Sequence, residues 1–358
     1  MFQDLTMEEL AELRNRKDFV LIDVRSPSEF EDSTIPGSLN IPLFDDDERA
    51  EIGTLYKQVS VQAAKERGLE IVSAKLPAFI KRFSEIPGNK AVFCWRGGMR
   101  SRTTATLLSL MNIHAYRLTG GFRAYRQWVI AHLNEAAAGF KPVSYVLNGY
   151  TGSGKTAILR YLKERGHPVL DFEDMAGHRG SIFGHIGRKA SNQKTFDSLL
   201  IEELIRYRQA PYIFFEAESK RIGNVTLPDP LVEKKQRAHQ LWIELPLKER
   251  VHNILDDYRP EQFAEECLQS FLKIKPRLHT PIAAEIEKSM REQDYRRAVE
   301  LLLVHYYDPR YDHTVSEYEP EKRTVIRAES ALAAAEKVEK FLAGRGAAEC
   351  QKKPVKAR

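Results

Sequence analysis

The segment that most restricts how this chain can fold is a glycine-rich turn between two apolar stretches. Residues 143–148 are mostly apolar and predict a strand, and residues 157–162 predict a helix. Between them, residues 149–156 read Gly-Tyr-Thr-Gly-Ser-Gly-Lys-Thr, which is the full pattern of a phosphate-binding P-loop. A strand, a tight turn and a helix in this order predict an α/β domain built on a parallel sheet.

Each residue type in this loop contributes to phosphate binding. The glycines Gly149, Gly152 and Gly154 let backbone N–H groups wrap a di- or triphosphate. We expect Lys155 to reach the terminal phosphates and Thr156 to place its hydroxyl on Mg²⁺. We predict no metal site formed by protein ligands alone, because neither paired cysteines nor suitably spaced carboxylates accompany the histidines.

A second apolar segment of this domain ends in acidic residues. Residues 211–215 predict a strand, and Glu216 and Glu218 follow it. A carboxylate at the end of such a strand is where P-loop proteins usually keep the group that orients a metal ion or water, and Glu216 is the better placed of the two. The alternative is that these glutamates only pair with Lys220 and Arg221.

A cysteine lies at the end of another predicted strand, residues 90–93. Cys94 is followed by a glycine- and arginine-rich loop and then by a predicted helix, so the helix N-terminus favours an anion beside the sulfur. The loop residues expected to bind that anion are Arg96, Gly97, Gly98 and Arg100. These groups favour a nucleophilic thiolate, whereas the alternative is a small apolar residue buried at a strand end.

The alternation of strands and helices predicts two α/β domains. We expect an N-terminal parallel-sheet domain over residues 1–138 and a P-loop domain over residues 139–343 whose C-terminal part is helical. In the first domain we expect a charged helical region that ends near Gly68 and a separate helix over residues 76–83. Residues 344–358 are small and basic and predict a disordered tail.

The helical part carries basic residues that form a candidate RNA-backbone surface. The alternative is a solvated charged face, which is the default for such residues. The residues concerned are Lys273, Lys275, Arg277, His279, Arg291, Arg296 and Arg297.

The overall composition limits which cellular compartment and which binding partners we expect. A formal charge of +5 permits a nucleic-acid or phosphate-rich partner without requiring one. The three cysteines are far apart in sequence, so we expect a reducing compartment and no disulfide framework. The N-terminus lacks the pattern of a signal peptide, and no apolar run is long enough to cross a membrane. We therefore expect a cytoplasmic protein with no membrane partner.

Four segments in order resemble a rhodanese domain: residues 23–30, residues 35–42, the Cys94 loop, and residues 118–122. The resemblance implies that the cysteine accepts a sulfur atom as a persulfide and that Asp23 and Arg25 are structural charges framing the site. One departure is that five residues separate Cys94 from Arg100, one more than in typical sulfurtransferases. The longer loop resembles that of dual-specificity phosphatases, which indicates a wider anion site suited to a phosphorus-centred donor.

The rhodanese-like segments joined to a P-loop domain resemble one family, the tRNA 2-selenouridine synthases. Further segments that carry the resemblance are residues 46–49 with Gly53, Tyr56 and Lys57, and residues 178–181, 216–223 and 305–309. The resemblance implies replacement of sulfur by selenium in 2-thiouridine at the wobble position of tRNA. The implied donor is selenophosphate, and the implied intermediate is an S-geranyl-2-thiouridine made from geranyl diphosphate.

From this resemblance we expect Cys94 to be the nucleophile that carries or relays selenium. The P-loop would hold either geranyl diphosphate or a nucleotide. We expect no tightly bound cofactor, and we expect tRNA and a selenophosphate-producing enzyme as partners. Two alternatives are a sulfurtransferase or phosphatase with a regulatory P-loop NTPase domain, and a non-catalytic RNA-binding protein. The intact Cys94 and the complete P-loop count against the second.

Overall fold

The computed structural model describes residues 2–13, 19–310 and 322–351, which form two compact units. The first unit comprises the chain up to Glu135 together with Lys194–Glu202. The second comprises Ala136–Gln193 and the chain from Glu203 on. Each unit contains a five-stranded sheet, and the predicted parallel α/β architecture is confirmed in both.

The first unit is built on a sheet whose central strand ends directly before Cys94, the residue predicted to be a nucleophile. Its strands, β1 to β5 in chain order, are Gln3–Leu5, Phe19–Asp23, Leu39–Asn40, Asn89–Phe93 and Tyr116–Leu118. They pair in the order β1-β5-β4-β2-β3, and every pair is parallel. All but the first residue of β4 are buried, as in a strand covered on both faces. Asp23 pairs with Phe93 across β2 and β4, so the acid lies at the sheet edge that Cys94 follows.

The helices of this part, α1 to α6, are Met7–Leu13, Pro27–Asp32, Asp46–Gln58, Val61–Ser84, Met99–Leu110 and Gly121–Ala138. The structure differs from the sequence prediction in α4, which is one helix of 24 residues where we expected a break after Gly68. Gly68 is buried, and a Cβ there would lie 3.5 Å from the Phe44 ring. The glycine therefore permits close packing of the helix and does not end it.

A buried ion pair holds the segment after β2 in place. The Arg25 side chain is 2% exposed and donates from Nη2 to the Asp23 carboxylate at 2.6 Å and to the Ser33 carbonyl at 2.6 Å. Its guanidinium lies 4.4 Å from the centre of the Phe122 ring, and the Phe122 N–H donates to the Cys94 carbonyl at 2.9 Å. This chain of contacts connects the Asp23–Arg25 pair to the backbone of the cysteine.

The second unit contains the P-loop strand at the centre of its sheet. Its strands, β6 to β12, are Val143–Gly149, Val169–Leu170, Tyr212–Glu216, Arg221–Ile222, Val225–Thr226, His239–Glu244 and Arg323–Arg327. The main sheet has the order β12-β11-β6-β8-β7 with every pair parallel, and β9 and β10 form a short antiparallel pair. The carboxyl ends of β6 and β8 therefore share one edge, which brings the P-loop and Glu216 together.

The remaining helices include the predicted helical C-terminal part. The helices α7 to α15 are Lys155–Glu164, Phe172–Ala176, Gln193–Tyr207, Asp229–Arg237, Leu247–Tyr258, Ala264–Ile274, Thr280–Arg291, Tyr295–Leu302 and Ala331–Gln351. Most of α9, Lys194–Glu202, belongs to the first unit. A 3₁₀ turn, Lys275–Arg277, follows α12, and a π-helical segment, Leu303–Tyr307, follows α14. A separate apolar cluster around Phe271, Ile286 and Leu302 packs α12, α13 and α14 together.

The edge strands β1 and β12 are among the elements absent from the sequence prediction. Only one residue of each is buried, so neither shows the continuous apolar run of a buried strand. The last helix, α15, continues through residues 344–351, within the stretch for which we predict a disordered tail. Alanines in this stretch favour helix. The remainder of that stretch, residues 352–358, lies outside the described residues.

We predict that Asp23→Asn destabilises the first unit by about 3–5 kcal/mol, because it leaves the Arg25 guanidinium buried without its counter-charge. Denaturant unfolding of the full chain, followed by the fluorescence of Trp95 and Trp128, measures this. Arg67→Ala, which removes an exposed pair with Glu51, is the control and is expected to cost less than about 1 kcal/mol. Equal effects of the two substitutions would contradict the structural importance of the buried pair.

Candidate active sites

Cys94 lies at the end of β4 with its thiol enclosed by the following loop. The residue is 3% exposed, and its Sγ lies 3.2 Å from the Ser101 hydroxyl, in the first turn of α5. Gly97 has φ +63°, and a Cβ there would lie 2.8 Å from the Gly120 nitrogen. A Cβ at Gly121 would lie 2.1 Å from the Cys94 carbonyl oxygen. The loop thus packs backbone against backbone, which only glycine permits at these positions.

Two arginines place positive charge near the sulfur. Arg100 donates two hydrogen bonds to Glu29 of α2. Burial lowers the pKa of Arg100, but the hydrogen bonds and charge of Glu29, with smaller contributions from Cys94 and Asp23, outweigh burial and raise the pKa. Arg117 of β5 donates to the Gly97 carbonyl at 2.9 Å and is held by Asp4. Its pKa is raised by hydrogen bonding to Asp4 and, more weakly, by the Cys94 charge.

The remaining loop residues face outward. Arg96 is exposed and makes no side-chain hydrogen bond or ion pair to the part of the chain that the structure describes. A Cβ at Gly98 would meet nothing within 4 Å, so space remains beside the start of α5. The structure therefore brings the predicted residues into one loop, with Arg100 engaged by Glu29 and Arg96 open to an incoming anion. Sequence reasoning missed Glu29 and Arg117, since neither lies near Cys94 in sequence.

The P-loop turns sharply between β6 and α7. Gly149, Gly152 and Gly154 have φ of +142°, +79° and +74°, and a Cβ at any of them would come within 2.6 Å of a neighbouring atom. Lys155 lies over the loop and donates to the Gly149 carbonyl at 3.1 Å and the Tyr150 carbonyl at 3.4 Å. The Ser153 hydroxyl is buried and has no hydrogen-bond partner among the described residues. A buried hydroxyl in a loop of this shape fits an oxyanion ligand.

Helix α11 holds the P-loop from outside. Arg250 donates from Nε to the Thr151 carbonyl at 2.9 Å, and Asn253 donates to the Gly152 carbonyl at 2.9 Å. Asp308 accepts two hydrogen bonds from Arg250, at 3.0 and 2.6 Å. Sequence reasoning missed Arg250 and Asn253 as supports of the loop. The sequence feature that could have indicated this support is Asp308, the partner of Arg250, because it lies in one of the segments that carry the family resemblance.

Buried carboxylates surround the start of α7. Glu173 accepts a hydrogen bond from the Thr156 hydroxyl at 3.0 Å. Glu216 accepts from the backbone N–H groups of Phe172 and Glu173 at 3.4 and 3.3 Å. Asp171 caps α8 and completes the acidic cluster. The structure thus places Glu216 beside Glu173, and Glu173 was not singled out from the sequence although it lies just after β7.

Burial and mutual repulsion raise the pKa values of this cluster. Burial, then the charges of Asp171 and Glu173, raise the pKa of Glu216 well above its ordinary value. Burial, then the charge of Glu173, raises the pKa of Glu218 to about 8. In the described part of the chain, no group of three or more histidine, cysteine or acidic side chains is arranged to hold a metal ion. The cluster is therefore suited to share protons or to meet a cation that a phosphate ligand brings.

The loop at residues 178–181 packs against the acidic cluster. A Cβ at Gly180 would lie 2.1 Å from a Glu218 carboxylate oxygen, so the backbone there touches the acid. The Gly180 N–H donates to His178 Nδ1 at 3.1 Å. Burial, then the charges of His185, Arg188 and Arg179, lowers the pKa of His178. The His178 imidazole is therefore neutral at pH 7, with Nδ1 as the hydrogen-bond acceptor.

The candidate RNA-backbone surface is partly neutralised. Lys275 and Arg291 both pair with Glu287, at 2.6 and 2.7 Å, and Arg297 pairs with Glu285 at 2.8 Å. Internal pairing of this kind favours the alternative of a solvated charged face for these three residues. Among the helices of the described ranges, none combines the length and the apolar character needed to cross a membrane.

The fold and the two sites define a class of protein in which a rhodanese-like domain is followed by a P-loop domain. Comparison with family models agrees with this class. A rhodanese-like domain matches residues 6–128, and a tRNA 2-selenouridine synthase AAA domain matches residues 142–343. The predicted fold class is thereby confirmed. The chain belongs to the tRNA 2-selenouridine synthase family.

Relatives that bear the name tRNA 2-selenouridine synthase match over most of their length. One from Bdellovibrio bacteriovorus is 33% identical over 339 residues, covering 81% of this chain and 87% of the relative. One from Cupriavidus necator is 31% identical, covering 87% of this chain and 92% of the relative. One from Bordetella petrii is 34% identical, covering 82% and 86%. The predicted family resemblance is confirmed by these matches.

We predict that Glu218→Gln flattens the pH dependence of stability. The pKa of Glu218 is raised from an ordinary 4.5 to about 8. Between these pH values the folded chain keeps a proton on Glu218 that the unfolded chain releases. The contribution of this group to the free energy of unfolding is therefore fully present below pH 4.5 and is lost as pH rises through about 8. Unfolding free energies of the full chain between pH 5 and 9 measure the slope. Glu233→Gln, at an exposed position, is the control, and an unchanged slope in Glu218→Gln would contradict the assignment.

Proposed function

We propose that this chain replaces the sulfur of wobble 2-thiouridine in tRNA by selenium from selenophosphate. The names of the relatives support tRNA and 2-selenouridine as the class of substrate and product. The single observation that carries the proposal is that one chain contains two loops suited to an anion, the Cys94 loop and the P-loop, each at the start of a helix. Two sites suit a route with two phosphorus-containing reactants, geranyl diphosphate and selenophosphate. A selenophosphate-producing enzyme is the proposed source of the donor.

The first proposed step is S-geranylation at the P-loop. The sulfur of 2-thiouridine attacks the first carbon of geranyl diphosphate, a C–S bond forms, and the C–O bond breaks as diphosphate leaves with the electron pair. The proton on N3 of the base is lost. Loop N–H groups, Lys155 and Thr156 hold the diphosphate, as oxyanion donors do in phosphoryl-transfer sites. Mg²⁺ bound to the diphosphate would neutralise its charge beside Glu173, which accepts from the Thr156 hydroxyl, and Glu216 accepts from the Glu173 N–H.

The second proposed step releases selenium at Cys94. The thiolate attacks phosphorus in selenophosphate, an S–P bond forms, and the P–Se bond breaks as hydrogen selenide leaves with the electron pair. Arg96, Arg100 and the backbone of Gly97 and Gly98 hold the phosphate oxygens. Hydrogen selenide then attacks C2 of the geranylated base and expels geranylthiolate, while water hydrolyses the cysteinyl phosphate to phosphate. No electron donor or acceptor is needed, because selenium remains at the selenide level throughout.

The geometry around Cys94 supports this assignment. Its Sγ is within hydrogen-bond distance of Ser101 at the start of α5, and Arg117 donates to the carbonyl of Gly97 in the same loop. Arg100 donates two hydrogen bonds to Glu29. An oxyanion bound in the loop would share or replace that contact, since a guanidinium offers five donors in a planar fork.

We predict that Cys94→Ala lowers selenium incorporation by about 10³-fold or more, because the nucleophile is removed, and that it leaves geranylation intact. Nucleoside mass spectrometry of 2-thiouridine tRNA, incubated with selenophosphate and geranyl diphosphate, measures both products. Thr106→Ala, at an exposed position of α5, is the control. Normal selenium incorporation by Cys94→Ala would contradict this role for the residue.

We predict the opposite pattern for Lys155→Ala. Loss of the loop cation is expected to lower geranylation by about a hundredfold or more, whereas selenation of tRNA that already carries S-geranyl-2-thiouridine continues. The same mass spectrometry measures this when the pre-geranylated tRNA is supplied. Lys163→Ala, on the same helix, is the control. Unchanged geranylation in Lys155→Ala would exclude the P-loop as the diphosphate site.

A further inference from the structure

An apolar cavity lies inside the second unit, beside the P-loop. Its walls come from the P-loop, from α11 to α14 and from the π-helical segment after α14. Neither step proposed above accounts for this cavity.

The cavity wall is mostly hydrocarbon and carries no charge among the lining residues that the structure describes. Ile254, Met290, Ala298 and Leu302 belong to this wall. The hydroxyls of Ser181 and Tyr258 also reach it, but they lie 3.1 Å apart and bond to each other. Such a wall favours an apolar group, because polar groups would lose their hydrogen bonds to water there.

The ionisable groups in the wall stay neutral. Burial, followed by the charges of Glu266 and Glu261, raises the pKa of Cys267 to about 11, so this lining residue is a thiol at neutral pH. Burial also raises the pKa of Tyr258, which is therefore a phenol. Arg179 lies over the Tyr258 ring, 4.5 Å from its centre, but its charge is paired with Asp257 at 2.7 Å.

The cavity begins at the phosphate-binding loop. Thr151 of the P-loop is one of the residues that line the cavity. Its carbonyl accepts the hydrogen bond from Arg250 that holds the loop. Ile254, one helical turn after Arg250, lines the cavity and also touches the loop, since a Cβ at Gly152 would lie 2.9 Å from its Cδ1. The cavity therefore adjoins the loop that we propose holds the diphosphate.

We propose that this cavity binds the hydrocarbon chain of the diphosphate ester held by the P-loop, and that Ala298 and Met290 set the chain length it accepts. The inference rests on the proposed function, since it assigns the second half of the same ligand. Ala298 lies in α14 and Met290 in α13, and neither makes a polar contact to the P-loop. A nucleotide fits less well, because its ribose and base would face a wall made mostly of carbon atoms.

The test compares dimethylallyl, geranyl and farnesyl diphosphates as donors for the full-length enzyme with 2-thiouridine tRNA. Ala298→Leu fills the cavity and is expected to lower kcat/KM for the geranyl donor by about tenfold or more, with the dimethylallyl donor changed less than about threefold. Met290→Ala enlarges the cavity and is expected to raise kcat/KM for the farnesyl donor by about tenfold. Nucleoside mass spectrometry quantifies each S-prenyl product.

Ala283→Leu is the matched control, because Ala283 is 3% exposed, like Ala298 at 1%, but does not line the cavity. Calorimetry adds a readout independent of activity. The wild type is expected to bind geranyl diphosphate about tenfold or more tightly than inorganic diphosphate, and Ala298→Leu is expected to remove that difference. Thermal unfolding checks that each variant folds, and Met290→Ala remains informative if Ala298→Leu does not fold.

The outcomes separate this inference from the function on which it rests. Prenyl transfer by the wild type, with the same chain-length profile in both folded cavity variants, would overturn the cavity assignment and leave the proposed function standing. Absence of transfer from all three donors by the wild type would overturn geranylation itself. A profile shifted equally by Ala283→Leu would also count against the assignment, because it would show a general packing effect.

Discussion

Both anion-binding loops depend on an arginine that is tied to an aspartate and donates to a loop carbonyl. In the first unit Arg117 is held by Asp4 and donates to the Gly97 carbonyl. In the second, Arg250 is held by Asp308 and donates to the Thr151 carbonyl. The aspartate satisfies the buried guanidinium, whose remaining donor then fixes the loop backbone. Loops that present N–H groups to an anion must be held open before the ligand arrives, and these pairs do so.

Charge is balanced differently at the two sites. The Cys94 loop is positive, with Arg100 partly neutralised by Glu29, and it suits a small trianionic donor. The P-loop combines Lys155 with buried acids whose pKa values are raised, so its charge depends on protons or on a cation that accompanies the ligand. The apolar cavity beside it adds a third environment. One unit thus suits a compact inorganic anion, and the other an ester with both phosphate and hydrocarbon parts.

Sequence reasoning reached the motifs but not their supports. The cysteine loop, the P-loop and the acid at the end of β8 are short contiguous patterns, and their residue types indicate their chemistry directly. Glu29 and Arg100 are 71 residues apart, and Arg250 and Thr151 are 99 apart. Such partners have no local signature. Gly68 shows the reverse error, since a glycine expected to end a helix instead allows the Phe44 ring to pack against it.

The amino-acid sequence by itself determined the two-domain α/β class, the family and the two candidate anion-binding loops, because strand periodicity, glycine spacing and a cysteine at a strand end are local properties. Only the tertiary structure decided which arginines hold the loops, which carboxylates share the start of α7, and that an apolar cavity opens beside Thr151. These features arise where residues distant in sequence are packed together. Burial then changes their pKa values and excludes water, and neither effect can be read from the order of residues alone.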